Sequence, residues 1–294
     1  MTTPLPALSL NGVDHTAFPT AKPKETIEFY RDVLELPVLH AITAKGWGWK
    51  GGYPDFFHFF FDAGRGSTIA FFYHIGSPPP PRPENPFGYQ AQARHTAWSV
   101  DTDAEMIAWH AHLKAKGVKV TPQVRHELIE SIYFLDPNDY PLEITRRLRD
   151  LSPLDRSDAE RSLIAIAETF GPNPGGTTIT GRSIEDMWRL KAGIIRDAYG
   201  FRDSDPAGPA IYVPRLPEYR PLLDYAKRAG LSPAPIGKDY VRISTTARLE
   251  IARPDLGLDE ALWFSMLVGG LDGEVSEFTS ERIVIIAAQG GQAS

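Results

Sequence analysis

The chain repeats itself. Asp14-His-Thr-Ala-Phe18 returns as Arg94-His-Thr-Ala-Trp98, and the 80-residue offset continues without a gap through Ile27 and Ile107, Phe29 and Trp109, and Val38 and Val118. A repeat that crosses a strand-like run, a helix-like run and the start of another strand is one supersecondary unit used twice. Each copy must bury its apolar side, and its twin offers the same kind of surface. The helix of the first copy opens with Pro23 in its first turn, and that of the second with a Thr102 and Glu105 capping box. Strand-like runs follow at 56–62 and 67–75 in the first copy and at 124–129, 131–135 and 141–145 in the second. Each copy therefore reads β-α-β-β-β. The Pro-rich stretch 78–86 joins them and is neither strand nor helix.

The two copies use half of the 294 residues, and that length predicts a second domain. The boundary is placed near Asp150, where the apolar run ends in Arg146-Arg-Leu-Arg-Asp150 and a polar, helix-like stretch begins. Residues 1–150 are one domain and 151–294 another, the whole being α+β. The chain has no cysteine, which excludes disulfides, thiolate nucleophiles, zinc ribbons and iron–sulfur clusters. With a net charge of -6 and no basic run, a nucleic-acid partner is not expected. The apolar stretch Leu262 to Val268, broken only by Ser265, is far short of the roughly 20 residues that span a bilayer. Residues 1–12 lack the basic and apolar regions of a signal peptide, so a cytoplasmic location is expected.

All eight histidines lie in the first 126 residues, so metal or acid/base chemistry is expected in the N-terminal half. Two of them, His15 and His95, stand at the same place in the repeat. A lone strand histidine is usually structural; two at equivalent positions are a different matter. Gly46-Trp-Gly-Trp-Lys-Gly51 spells GxGxxG, but Tyr53-Pro54 follows where a helix would have to start, and dinucleotide binding is rejected. The phenylalanines around His58 (56, 57, 59, 60 and 61) make an aromatic strand, one face of which suits a flat apolar ligand.

Paired β-α-β-β-β copies with a histidine on each first strand resemble the vicinal oxygen chelate superfamily of glyoxalase I, bleomycin-resistance proteins and type I extradiol dioxygenases. The resemblance covers residues 9–147. It implies a half-open barrel around a divalent metal, with ligands from the first and last strands of each copy. By position these are His15, His95 and Glu143, the fourth place being Ala70 when Thr68-Ile-Ala-Phe-Phe72 is set against Pro141-Leu-Glu-Ile-Thr145. Two imidazoles and a carboxylate suit Fe(II), with Mn(II) as the alternative, and leave positions for substrate and dioxygen.

The extradiol signature is matched by Val124, His126, Ile132, Tyr133, Asp136, Pro137 and Glu143, with Asp139 where Gly or Pro is expected. The resemblance implies that His126 and Tyr133 are catalytic and bind the substrate's ring oxygens. One departure stands out: Gly66 and Ser67 occupy the place of a second-sphere histidine. The resemblance thus implies an Fe(II)-dependent dioxygenase that cleaves a small aromatic diol with dioxygen, and homo-oligomerisation by family habit. The alternatives are a glyoxalase-like lyase or isomerase, against which Ala70 counts, and a metal-free binding protein of the resistance type.

In the C-terminal half, helices are predicted at 155–169, 184–199 and 217–229, and strands at 210–213, 240–244, 249–252, 262–268 and 274–286, with Gly269 to Gly273 as a hairpin turn. Strand, helix, then two strands across 210–252 read as a degenerate third copy without its histidine, and the half is expected to serve as lid or interface.

Overall fold

The computed structural model describes residues 10–46, 52–81, 84–86, 88–171, 181–201 and 208–288. Most of the GxGxxG stretch and part of the Pro-rich connector lie outside them. Among the described residues no helix is long and apolar enough to cross a membrane. The chain divides into two compact units, one of residues 1–124 and 130–147 and the other of 125–129 and 148–294.

The first unit contains β1 (His15–Pro19), α1 (Pro23–Glu28), β2 (Val38–Ala44), β3 (Phe56–Gly64) and β4 (Ser67–His74), then α2 (Tyr89–Gln92), β5 (Thr96–Val100), α3 (Asp103–Ala115), β6 (Val124–Arg125), β7 (Ile129–Leu135) and β8 (Pro141–Arg147). The strands form two four-stranded sheets with the same order, β1-β4-β3-β2 and β5-β8-β7-β6. In each, the first strand pairs in parallel with the last. Neither sheet closes into a barrel. The register repeats as the sequence does: Ala17 faces Ala70 in one sheet, and Ala97 faces Glu143 in the other.

Local chemistry explains the elements. Pro23 sits in the first turn of α1, and the Thr102 and Glu105 capping box opens α3, both as the sequence predicts. Past Glu28 the first helix widens into a π-helical segment, Phe29–Val33, closed by the Leu34 N–H on Phe29 O. It brings Tyr30 onto Phe61 and Phe71 of the sheet and Phe29 against Phe134, in a core shared with Met106, Leu113 and Ile132 of the second copy. Two expectations need correction. Val118 begins no strand; Val120 makes a single bridge to Phe134. The strand expected over 124–129 stops at Arg125, because the His126 N–H folds back to Ile129 O at 2.8 Å.

The signature turn clasps the two copies together. Asp136 is buried and accepts hydrogen bonds from the backbone N–H groups of Asn138 (2.7 Å) and Tyr140 (2.9 Å) and from the Tyr30 hydroxyl (3.2 Å). Asn138 accepts from Thr20 at 2.7 Å and donates to Thr26 at 3.0 Å, while Lys22 donates to Pro137 O. Asp139 has φ 67°, which explains why glycine is expected there: the left-handed region suits Gly and tolerates Asp.

The second unit holds α4 (Pro153–Phe170), α5 (Ile184–Ala198), β9 (Ala210–Pro214), α6 (Arg220–Arg228), β10 (Ser232–Ile236), β11 (Tyr240–Ser244), β12 (Arg248–Ala252), α7 (Glu260–Phe264), β13 (Leu271–Asp272), β14 (Glu274–Phe278) and β15 (Arg282–Ile286). Its sheets are ordered β10-β11-β9-β13 and β12-β15-β14. β9 pairs with β11 in antiparallel fashion and β12 lies in the other sheet, so the 210–252 stretch follows the repeat in element order but not in pairing. The strand expected at 262–268 is instead α7 and a following turn, whose Leu262, Trp263, Met266 and Leu267 are buried. A short run that is apolar at all but one position has no clear period by which to tell a buried helix from a buried strand. Gly269 to Gly273 is not a hairpin turn: Leu271 and Asp272 pair with β9. Its glycines admit close backbone approach, since a Cβ on Gly269 would lie 1.9 Å from Tyr212 O. Lys191, fully buried, ties α5 to α4 and the α7 turn through Asp158 (2.9 Å), Ser162 (2.7 Å) and Val268 O (2.6 Å).

The clasp yields a prediction. Asp136→Ala strands several buried donors at once and should destabilise the first unit by about 2–4 kcal/mol, whereas Tyr30→Phe, removing one neutral hydrogen bond, should cost about 1 kcal/mol. Urea unfolding followed by circular dichroism measures both.

Candidate metal centre

Glu143 is the buried carboxylate of the first unit's second sheet, 3% exposed. A buried carboxylate must be hydrogen-bonded or paired to be tolerated; here Ser131 supplies a hydrogen bond, and His95 an ionic partner when its ring is protonated. The Ser131 hydroxyl on β7 donates to Oε1, and His95 Nε2 lies 2.9 Å from Oε2. Ser131 also bonds Thr145 Oγ1 at 3.0 Å, which holds the hydroxyl between two strands. His95 immediately precedes β5, on the same face as Ala97, whose register partner is Glu143.

The second nitrogen of His95 settles how the ring is used. Nδ1–H donates to Gln92 O at 2.8 Å, a carbonyl supplied by α2, which leaves Nε2 aimed at the carboxylate. A backbone carbonyl behind a ring nitrogen is the usual way to fix the tautomer and orientation of a metal-binding imidazole. Two ligands about 2.1 Å from one ion and at right angles to each other stand about 3 Å apart. The His95 to Glu143 spacing of 2.9 Å meets that condition.

Tyr133 shares the face. Its ring meets His95 edge-on at a centroid distance of 6.4 Å. Burial raises its phenol pKa above the ordinary value; hydrogen bonding to Ser131 opposes this and the charge of Glu143 adds to it. The hydroxyl is therefore a protonated donor at neutral pH, beside the carboxylate.

His15 occupies the equivalent place on the first sheet. Its Nδ1 pairs with Asp14 at 2.7 Å, leaving Nε2 as the ring nitrogen for a ligand, and the ring meets Phe60 at 6.2 Å. Among the described residues no three His, Asp or Glu side chains converge closely enough to hold a metal, so the structure unites His95, Glu143 and Tyr133 and leaves His15 outside that group. Ala70, fully buried, holds the fourth position. His126 belongs to segment 125–129 of the second unit and is half-buried. The pair the structure brings together, one imidazole and one carboxylate, are donor types that bind divalent metals.

Sequence reasoning missed Ser131 and the Gln92 carbonyl. Ser131 was detectable, since it stands two residues before Tyr133 and so on the same strand face. The Gln92 contact depends on a four-residue helix after the connector, which leaves no periodic trace.

Residues 12–144 match the Glyoxalase/Bleomycin resistance protein/Dioxygenase superfamily. They are a domain of that superfamily. Biphenyl-2,3-diol 1,2-dioxygenase 2 of Rhodococcus globerulus is 27% identical over 104 residues, covering 35% of this chain and 50% of that enzyme. The chain thus spans about half the length of the curated relative it matches. Among solved structures, a glyoxylase/bleomycin resistance protein/dioxygenase domain from Frankia sp. EAN1pec is 20% identical, covering 49% of this chain and 96% of that one with a TM-score of 0.38. A lactoylglutathione lyase from Agrobacterium tumefaciens is 22% identical, covering 47% and 94% with a TM-score of 0.32.

Metal binding is predicted to follow the pair and its support. His95→Ala and Glu143→Ala should abolish Fe(II) retention, and Ser131→Ala should weaken it by roughly 10- to 100-fold, the usual cost of losing a group that orients a ligand. Anaerobic titration with metal analysis measures all three.

Proposed function

We propose that this protein is a metal-dependent dioxygenase that opens the ring of a small aromatic diol, using His15, His95 and Glu143 to hold Fe(II), with Mn(II) as the substitute. The observation that carries the reading is the His95 and Glu143 pair at 2.9 Å, with Tyr133 on the same face and alanine at residue 70. A carboxylate as fourth ligand would suit a lyase that uses its metal as a Lewis acid; Ala70 supplies none. Bound Fe(II) supplies the one-electron chemistry that dioxygen requires.

The chain's own residues then have distinct tasks. Glu143 and His95 are pre-oriented by Ser131 and by Gln92 O, so little reorganisation is needed when the site fills. Tyr133, held protonated, donates a hydrogen bond from its hydroxyl to a ring oxygen of the substrate. His126 is assigned the ring proton, which the ring nitrogen lone pair of a neutral imidazole can accept. The aromatic strand β3 excludes water from a flat substrate.

The test is oxygen uptake by the Fe(II)-loaded chain with biphenyl-2,3-diol and with catechol. Uptake should equal ring-opened product and vanish when the metal is removed. Tyr133→Phe and His126→Phe should keep iron near wild-type content and lower turnover by about 10²-fold. Full activity in both variants would overturn the assignment of these two residues, and absence of metal-dependent oxygen uptake with any diol would overturn the reading.

A further inference from the structure

One face of the first sheet carries four of the eight histidines. Register places them there: His40 faces Phe60, Phe60 faces Ala70, and Ala70 faces Ala17, two residues from His15; His58 faces Phe72, and Phe56 faces His74. The rings run on from His15 in a continuous track. Phe60 meets His15 at 6.2 Å and His58 at 4.2 Å, His58 lies flat on Phe72 at 3.5 Å with 6° between the planes, and Phe72 stacks on His74 at 5.8 Å. The opposite face, with Phe59, Phe61, Ile69 and Phe71, is core, so this track is not needed to pack the helices.

His58 is the unusual member. It is only 7% exposed, and its Nδ1–H donates to Phe71 O at 3.1 Å. That bond fixes the neutral tautomer with its lone pair on Nε2. Burial, the largest influence, holds its pKa below the ordinary histidine value and keeps the ring uncharged. Nε2 has no partner among the described residues. In the second sheet the corresponding place, two residues before Tyr133 as His58 is two before Phe60, belongs to Ser131, whose hydroxyl serves Glu143. The first sheet has Ala70 instead of a carboxylate, so among the described residues nothing claims the acceptor on His58.

We propose that this track receives the part of the substrate distal to the diol, and that His58 Nε2 accepts a hydrogen bond from a hydroxyl or N–H carried there. The substrate class is thus an aryl-substituted diol with a polar donor on its second ring; this rests on the dioxygenase reading above. His58 acts as a specificity-determining residue, with the Phe60 ring between it and His15.

The test uses the full Fe(II)-loaded chain without oxygen, measuring Kd for biphenyl-2,3-diol and for its analogues with one hydroxyl at each position of the second ring. The best analogue should bind about 3- to 10-fold tighter than the parent, the range of one neutral hydrogen bond. His58→Phe, which keeps a ring stacked on Phe72, should bind the parent as wild type does and lose that preference; His58→Gln, which keeps an acceptor, should retain part of it. No preference in the wild-type protein, or an undiminished preference in His58→Phe, overturns the proposal alone. Failure of every diol to bind overturns the diol reading and this proposal together.

Discussion

A carboxylate excluded from water is the constraint on which the first unit's architecture turns. Glu143 is buried on a central strand, and a charge there is tolerated only if its oxygens are answered. The answer needs three elements at once: β7 for Ser131, the start of β5 for His95, and α2 for the carbonyl behind His95. Each must be held rigidly for the pair to keep its spacing. The Asp136 turn assists by locking the β7–β8 connection to Thr20, Thr26 and Tyr30 of the other copy.

The two copies then diverge from a shared frame. Identical register sets alanine against alanine in one sheet and alanine against glutamate in the other. The second copy keeps the buried charge and its hydroxyl support. The first keeps a histidine on its opening strand and turns the same face into an aromatic track. Duplication supplies the symmetry, and its partial loss supplies an open side to the proposed centre, because a ligand set short of one residue leaves room for substrate.

Much of this was legible in the sequence because the repeat supplies long-range information that local patterns lack. The offset of 80 residues identified the element order of both copies, and the resemblance to the vicinal oxygen chelate superfamily set Glu143 against Ala70 before any register was known. Tyr133 followed from the resemblance to the extradiol dioxygenase signature. Where the repeat ended, legibility fell. The run Leu262 to Val268 is apolar but for Ser265 and too short to show a period, so its pattern suits a strand as well as the helix α7. β10 went unread because its Ser-Pro-Ala-Pro-Ile sequence carries two prolines, which argue against a strand except at an edge, and it does lie at the edge of its sheet. The pairing of Leu271 and Asp272 with β9 links residues about 60 apart and leaves no local signal.

The central claim is that two imidazoles and one carboxylate, with no fourth protein ligand, hold a ferrous ion in the first unit. A crystal structure of the full chain loaded with Fe(II) without oxygen tests it most directly. The account expects His15, His95 and Glu143 around one ion, solvent on the remaining positions and no contact from residue 70. An ion held without Glu143, or with a further side chain completing four protein ligands, would contradict it.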